Sequence, residues 1–267
     1  MSLLTLKLAL LATIFAAGWM GAALPRLRAL EASDRFLGRG NAFAAGVLIG
    51  TALLHMLAEA HRAWTDLGWE YPIAYLLAAA AFVGVLLVEH VLLPEQAHEI
   101  VHGHAGHSVT EREMHAVSHS ASPYLLVAAL STHSLIEGAA LGAQDGVAQL
   151  VVISVAILAH KATAGFALGV SLARHGVARG RSLRLALLFA VMTPLGIVAG
   201  LTVSGLLAPG VEARFDALAL AVAAGTFLYI ASLDTIQDEL LRPGSRLVKW
   251  IFAALGLAAT ALLAVWI

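Results

Sequence analysis

The sequence predicts an all-α, polytopic membrane protein, with eight transmembrane helices in a single domain over residues 1–267 and inverted internal repeats. Three observations predict it. Of the 267 residues, 60% are hydrophobic and only 12% are charged, whereas a soluble domain is about 45–50% apolar and about 25% charged. Apolar runs recur at the roughly 20-residue length that crosses a bilayer. Polar motifs repeat inside those runs. So little charge cannot coat a water-facing surface, which excludes a soluble enzyme and a disordered chain. A net charge of −1 lacks the basic footprint of a nucleic-acid binder. With no cysteine, disulfide, zinc-thiolate and iron–sulfur chemistry are excluded. Histidine stands out, at 12 residues.

The runs lie at 2–24, 41–60, 72–93, 122–143, 147–173, 183–207, 215–236 and 246–267. The first is followed by Gly21, Ala22 and Ala23, small residues like those of a leader cleavage site. It lacks a positive segment before it and is read as a span. The second carries His55 and Glu59 near one end, and the third closes on Glu89 and His90. The fourth and fifth hold the motifs developed below. The sixth contains Thr193-Pro194-Leu195-Gly196, where a kink is expected. The seventh ends near Asp234 and Asp238, and the eighth follows a basic connection.

Lysine and arginine orient the spans. Odd-numbered connections hold Arg26, Arg28, Arg35, Arg39, Arg112, Arg174, Arg179, Arg181, Arg184, Arg242, Arg246 and Lys249; the other side holds Lys7, Arg62 and Arg214. Twelve against three places odd connections in the cytoplasm and both termini outside, in a cell (inner or plasma) membrane. The long cytoplasmic connection 94–121 carries His98, His102, His104, His107, His115 and His119 among glutamates. It reads either as a metal-capturing His-rich loop or as a solvated polar loop.

Residues 133–142, HSLIEGAALG, share five of ten positions with 160–169, HKATAGFALG. Adjacent spans run antiparallel, so the copies are inverted. More weakly, 45–59 aligns with 224–238, setting His55 on Asp234 and Glu59 on Asp238. Inverted repeats with polar residues at matching depths mark secondary transporters, whose site lies at the repeat interface.

Ionisable groups within a bilayer cost about 2.5–3.5 kcal/mol each and mark sites or pathways. His133 and Glu137, four apart, share one helix face, and His160 comes from the neighbouring helix. Two imidazoles and a carboxylate with a fourth position for water form a Zn²⁺-compatible set. The same donors suit Fe²⁺, Mn²⁺, Co²⁺ or Cd²⁺. The plainer alternative is that the histidines hydrogen-bond to neighbours while Glu137 pairs with Lys161. Beside Glu137, Lys161 would neutralise the site or repel a second cation, and with Ser134 it tunes the second position. Gly138, Gly142, Gly165 and Gly169, spaced by four, are expected to bring spans four and five together. His55, Glu59 and Asp234 read either as relay points on a cation route or as solvated interfacial groups.

At these residues the chain resembles the ZIP (Zrt/Irt-like) metal transporters. The likeness covers eight spans, external termini, the His-rich loop, the His-x-x-x-Glu-Gly motif of His133 to Gly138, and the His-led motif of span five. It implies a carrier of divalent metal, chiefly Zn²⁺, into the cytoplasm, with metal held between spans four and five. A homodimer moving by an elevator-like shift is implied too, with His55, Glu59 and Asp234 lining the route. Lys161 after His160 and Ala164 in place of a second glutamate depart from the two-metal pattern and resemble the single-site subgroup. The metal is then transported substrate, with no cofactor; the expected partners are a divalent cation, the bilayer and a second copy, with no nucleic acid.

Two other readings use the same ligands. An intramembrane zinc-dependent hydrolase would activate a water there, but no His-Glu-x-x-His helix or Gly-x-Ser-x-Gly elbow occurs. A haem-bound electron carrier would use His133 and His160 as axial ligands. For transport, neutral imidazole is required, so acid should weaken uptake.

Overall fold

The computed structural model describes residues 3–27, 33–92, 123–144, 146–203 and 209–265. The predicted His-rich loop, 94–121, lies outside the described residues. No strand occurs among the described residues. Eight helices are long and apolar enough to cross a membrane: α1 Leu3–Arg26, α2 Asp34–Asp66, α3 Ile73–Leu92, α4 Pro123–Ala143, α5 Val147–Arg174, α6 Arg179–Thr202, α7 Ala213–Leu241 and α8 Arg246–Ala264. The chain is an integral membrane protein. α6 runs on through Pro194.

Two helices outrun their predicted spans. α2 begins at Asp34 because the Ser33 side chain accepts a hydrogen bond from the Phe36 amide and so caps the first turn. α7 continues past 236 because Glu239 there meets the buried Lys249 and the half-buried Arg174, as described below.

Packing sorts the helices into two units. α4 lies on α6 and α5 on α1, with α1 touching α6; α2 lies on α8 and α3 on α7. Glycines set these approaches. A Cβ on Gly196 of α6 would stand 2.1 Å from Leu135 O of α4, and one on Gly165 of α5 would stand 2.6 Å from Gly18 O of α1. In the second unit, a Cβ on Gly46 of α2 would stand 1.9 Å from Ala253 O of α8, and one on Gly225 of α7 would stand 2.1 Å from Ala78 O of α3. The expected glycine-mediated approach of α4 to α5 is therefore corrected. Gly138 and Gly142 face α6, while Gly165 and Gly169 face α1. A four-residue spacing marks a small face but does not say which neighbour takes it.

The arrangement carries the inverted repeat. Exchanging α4 with α5, α1 with α6, α2 with α7 and α3 with α8 maps each of these packed pairs onto another. The weaker repeat gains a structural counterpart. α2 becomes π-helical over Thr51–Met56 and α7 over Ile230–Ile236, so the wide turn begins at aligned residues. His55 and Asp234 both lie inside it. Such turns are frequent at functional sites. A third covers Val88–Leu92.

Candidate metal centre

His133 and Glu137 project from one face of α4, one turn apart, and His160 meets them from α5. One ligand atom from each of the three lies within 4.8 Å of the others. His160 Nε2 is 2.9 Å from Glu137 Oε1, and His133 Nε2 is 3.7 Å from Glu137 Oε2. Two donors about 2.1 Å from a tetrahedral ion stand roughly 3.4 Å apart, and the observed separations bracket that value. Both histidines are buried. Both ring nitrogens of His133, both of His160, and Glu137 Oε2 lack hydrogen-bond partners. The close His160–Glu137 contact is thus out of line for a hydrogen bond. Five unpartnered polar atoms packed together inside a protein are costly. A divalent cation would satisfy the facing donors at once.

Phe227 of α7 covers the cluster, its ring centroid 4.4 Å from that of His133 and 5.9 Å from that of His160. Its apolar ring lowers the local dielectric on that side, which strengthens the donors' electrostatics. Nothing in the sequence singled it out among the apolar residues of α7.

Lys161 does not pair with Glu137. Its ammonium donates to Ser134 Oγ at 2.6 Å and to Thr193 Oγ1 of α6 at 2.7 Å. The expectation that it neutralises Glu137 directly is corrected, because two hydroxyls hold it elsewhere. Ser134 is engaged twice, since its own hydroxyl donates to Leu130 O at 2.6 Å. In the sequence Thr193 stands out only as part of the Thr193-Pro194-Leu195-Gly196 motif, not as a partner of Lys161.

The remaining predicted residues lie at the two ends. His55 and Glu59 face one another at 3.6 Å. They line an open cavity of about 360 Å³ between α2, α5 and α8, whose wall includes Ala156 and Ala159, the latter next to His160. Asp234 lines a far smaller cleft, about 20 Å³, at the opposite end, with Asn41, Arg174 and Asp238. Around that cleft Arg174 Nη1 meets Glu239 Oε2 at 2.6 Å, Lys249 Nζ meets Glu239 Oε1 at 3.3 Å, and Arg242 Nε meets Asp238 Oδ2 at 2.9 Å. Glu239 was not foreseen, though only 1% of it is exposed. Glu89 is buried and accepts from Tyr229 Oη at 2.5 Å.

The chain is similar to known proteins over most of its length. A family model described as ZIP Zinc transporter matches residues 2–99 and 92–264. Zinc transporter ZIP2 of Homo sapiens is 32% identical over 261 residues, covering 83% of each chain. Zinc transporter ZIP3 of Homo sapiens is 30% identical over 265 residues, covering 84% of each. Zinc transporter 11 of Arabidopsis thaliana is 26% identical over 284 residues, covering 99% of this chain and 86% of that one. These relatives are transporters, not enzymes. The chain belongs to the ZIP zinc transporter family.

Proposed function

We propose that the protein carries Zn²⁺ across the cell (inner or plasma) membrane into the cytoplasm, through a mononuclear site of His133, Glu137 and His160. One observation carries the reading: two buried imidazoles around a half-buried carboxylate, the ring nitrogens without a hydrogen-bond partner. Three protein ligands replace part of the hydration shell, and the open fourth position keeps binding weak enough for release. The site holds one ion because Lys161 brings a fixed positive charge where a second would sit, and Ala164 supplies no carboxylate. Fe²⁺, Mn²⁺ and Cd²⁺ suit the same donors and are competing substrates.

The twelve-to-three bias of basic residues sets both termini outside. The cavity at His55 and Glu59 then opens outward, and the Asp234 cleft faces the cytoplasm. His55 and Glu59 receive the ion from outside, and Asp234 passes it inward. The unit of α1, α4, α5 and α6 moves as an elevator against that of α2, α3, α7 and α8, in a homodimer. The His-rich segment 94–121 captures metal on the cytoplasmic side. Uptake of radioactive zinc into proteoliposomes tests the site: saturable flux in the wild type that is lost in His133→Ala is expected. Flux that survives in the variant would move the site elsewhere, and zinc binding without flux in either protein would refute transport.

A further inference from the structure

We propose that Thr193 is a positioning residue for metal transport: with Ser134 it holds the Lys161 ammonium in a receptor of its own, away from Glu137, so that the carboxylate stays available to the cation. The inference rests on the reading of His133, Glu137 and His160 as the transport site.

Lys161 is buried, with 1% of its surface exposed. Its ammonium meets two hydroxyl oxygens, at 2.6 Å and 2.7 Å, and stands 4.1 Å from the centroid of the Phe189 ring. Hydroxyls and a ring face solvate a cation without cancelling its charge. Ser134 is fixed as an acceptor because its proton is committed to Leu130 O. The Lys161 stem runs over Gly18 of α1, where a Cβ would stand 3.0 Å from Lys161 Cε. Four helices thus build the receptor: α5 brings the lysine, α1 the space, α4 one hydroxyl, and α6 the other hydroxyl with the ring. Thr193 is rigidly placed, since α6 and α4 touch backbone to backbone there, with a Cβ on Gly138 falling 2.3 Å from Thr193 O.

Lys161 directly follows His160, and Ser134 lies three residues before Glu137 on the same helix, a neighbouring surface position. An ammonium released by Thr193 but still held by Ser134 is within a helical turn of Glu137 and is free to turn toward its carboxylate. There it would compete with the metal for the same oxygens. The Thr193 hydroxyl therefore sets metal affinity without touching the metal.

Zinc uptake into proteoliposomes, measured over a range of zinc concentrations, tests this in Thr193→Val, Thr193→Ser, Lys161→Met and the Lys161→Met/Thr193→Val pair. The expected result for Thr193→Val is a KM about tenfold higher with little change in maximal rate. Thr193→Ser should restore the wild-type KM. In the Lys161→Met background Thr193→Val should add nothing, because no ammonium remains to be misplaced. Thr193→Ala, which deletes the hydroxyl without adding bulk, carries the same expectation if the valine variant is not recovered. A wild-type KM in both hydroxyl-free variants overturns the proposal. So does an equal effect with and without Lys161, which would mean packing alone. Glu137→Ala is measured alongside: flux that persists there refutes the transport site itself. Flux lost in Glu137→Ala, with a wild-type KM in Thr193→Val, refutes only the role of Thr193.

Discussion

Glutamine at position 137 keeps the size of the side chain and removes the one anion among the three ligands. Among the described residues the cluster contains no second carboxylate to take its place. A unit charge pair 4 Å apart is worth about 4 kcal/mol at an effective dielectric near 20. A divalent ion doubles this to about 8 kcal/mol, and stripping water from ion and carboxylate takes back more than half. About 3 kcal/mol remains, roughly a hundredfold in affinity. Titration of zinc into the purified protein in detergent reads that change directly, and uptake into proteoliposomes should fall in parallel. The amide still faces His133 and His160, so metal-free Glu137→Gln should melt at the wild-type temperature, separating lost affinity from lost fold. Zinc binding within about threefold of wild type would refute the assignment of Glu137 as a ligand.

Three further outcomes follow from the geometry. Gly196→Ala places a Cβ where Leu135 O stands 2.1 Å away, so the α4–α6 contact must open at about 1–3 kcal/mol. The melting temperature in detergent should fall, and an unchanged one would refute the close packing. Glu239→Gln leaves Arg174 and Lys249 without the anion they share at 2.6 Å and 3.3 Å, a loss of about 3–5 kcal/mol for a buried pair. Its melting temperature should drop more than that of Asp238→Asn, whose nearer partner Arg242 is exposed and whose distance to Arg174 is the longer, 3.5 Å; the reverse order would sink the argument. Ligand imidazoles bind metal only when unprotonated, so apparent zinc affinity should be weaker at about pH 5 than at about pH 8. An affinity flat across that range would argue against histidine ligands.

The eight helices and the clustering of His133, Glu137 and His160 were legible for the same reason: both are written in local spacing. Twenty apolar residues make a span, and His133 four before Glu137 makes a shared helix face. The recurrence of histidine at 160 pointed to its partner. Boundaries failed where tertiary contacts satisfy polar residues that look solvent-bound in isolation. α2 was read as starting at 41 and α7 as ending at 236, yet Ser33 caps the first and Arg174 and Lys249 hold the Glu239 of the second. Phe227 carried no signal of its own, and Thr193 stood out only within the Thr193-Pro194-Leu195-Gly196 motif, not as a partner of Lys161. Each reaches the centre from a helix whose neighbour is chosen by packing, and single-chain periodicity does not choose neighbours. The glycine rows show the same limit, since their spacing was read and their partners were not.

The placement of those glycines bears on how the proposed transport works. Where a glycine brings two backbones together, both belong to the unit of α1, α4, α5 and α6, or both to the unit of α2, α3, α7 and α8. Contacts across the boundary are of another kind. They include the Phe227 ring over the histidines, the Phe166 ring against Gly40, and the ion pairs of Arg174 with Asp238 and Glu239. The open cavity and the small cleft both lie on this boundary. Interlocked backbones cannot slide, whereas side chains and ion pairs exchange partners. His133, Glu137, His160 and the Lys161 receptor all sit on the first unit, so in the proposed elevator an ion bound there need not change ligands as that unit shifts. One end stands open beside Ala159 while the other is tied by Arg174, so the reverse orientation must break the Arg174 pairs and close the His55 cavity. The inverted repeat makes that second orientation accessible. Each copy packs as its counterpart does, and the two orientations differ by the copies trading conformations rather than by a new fold.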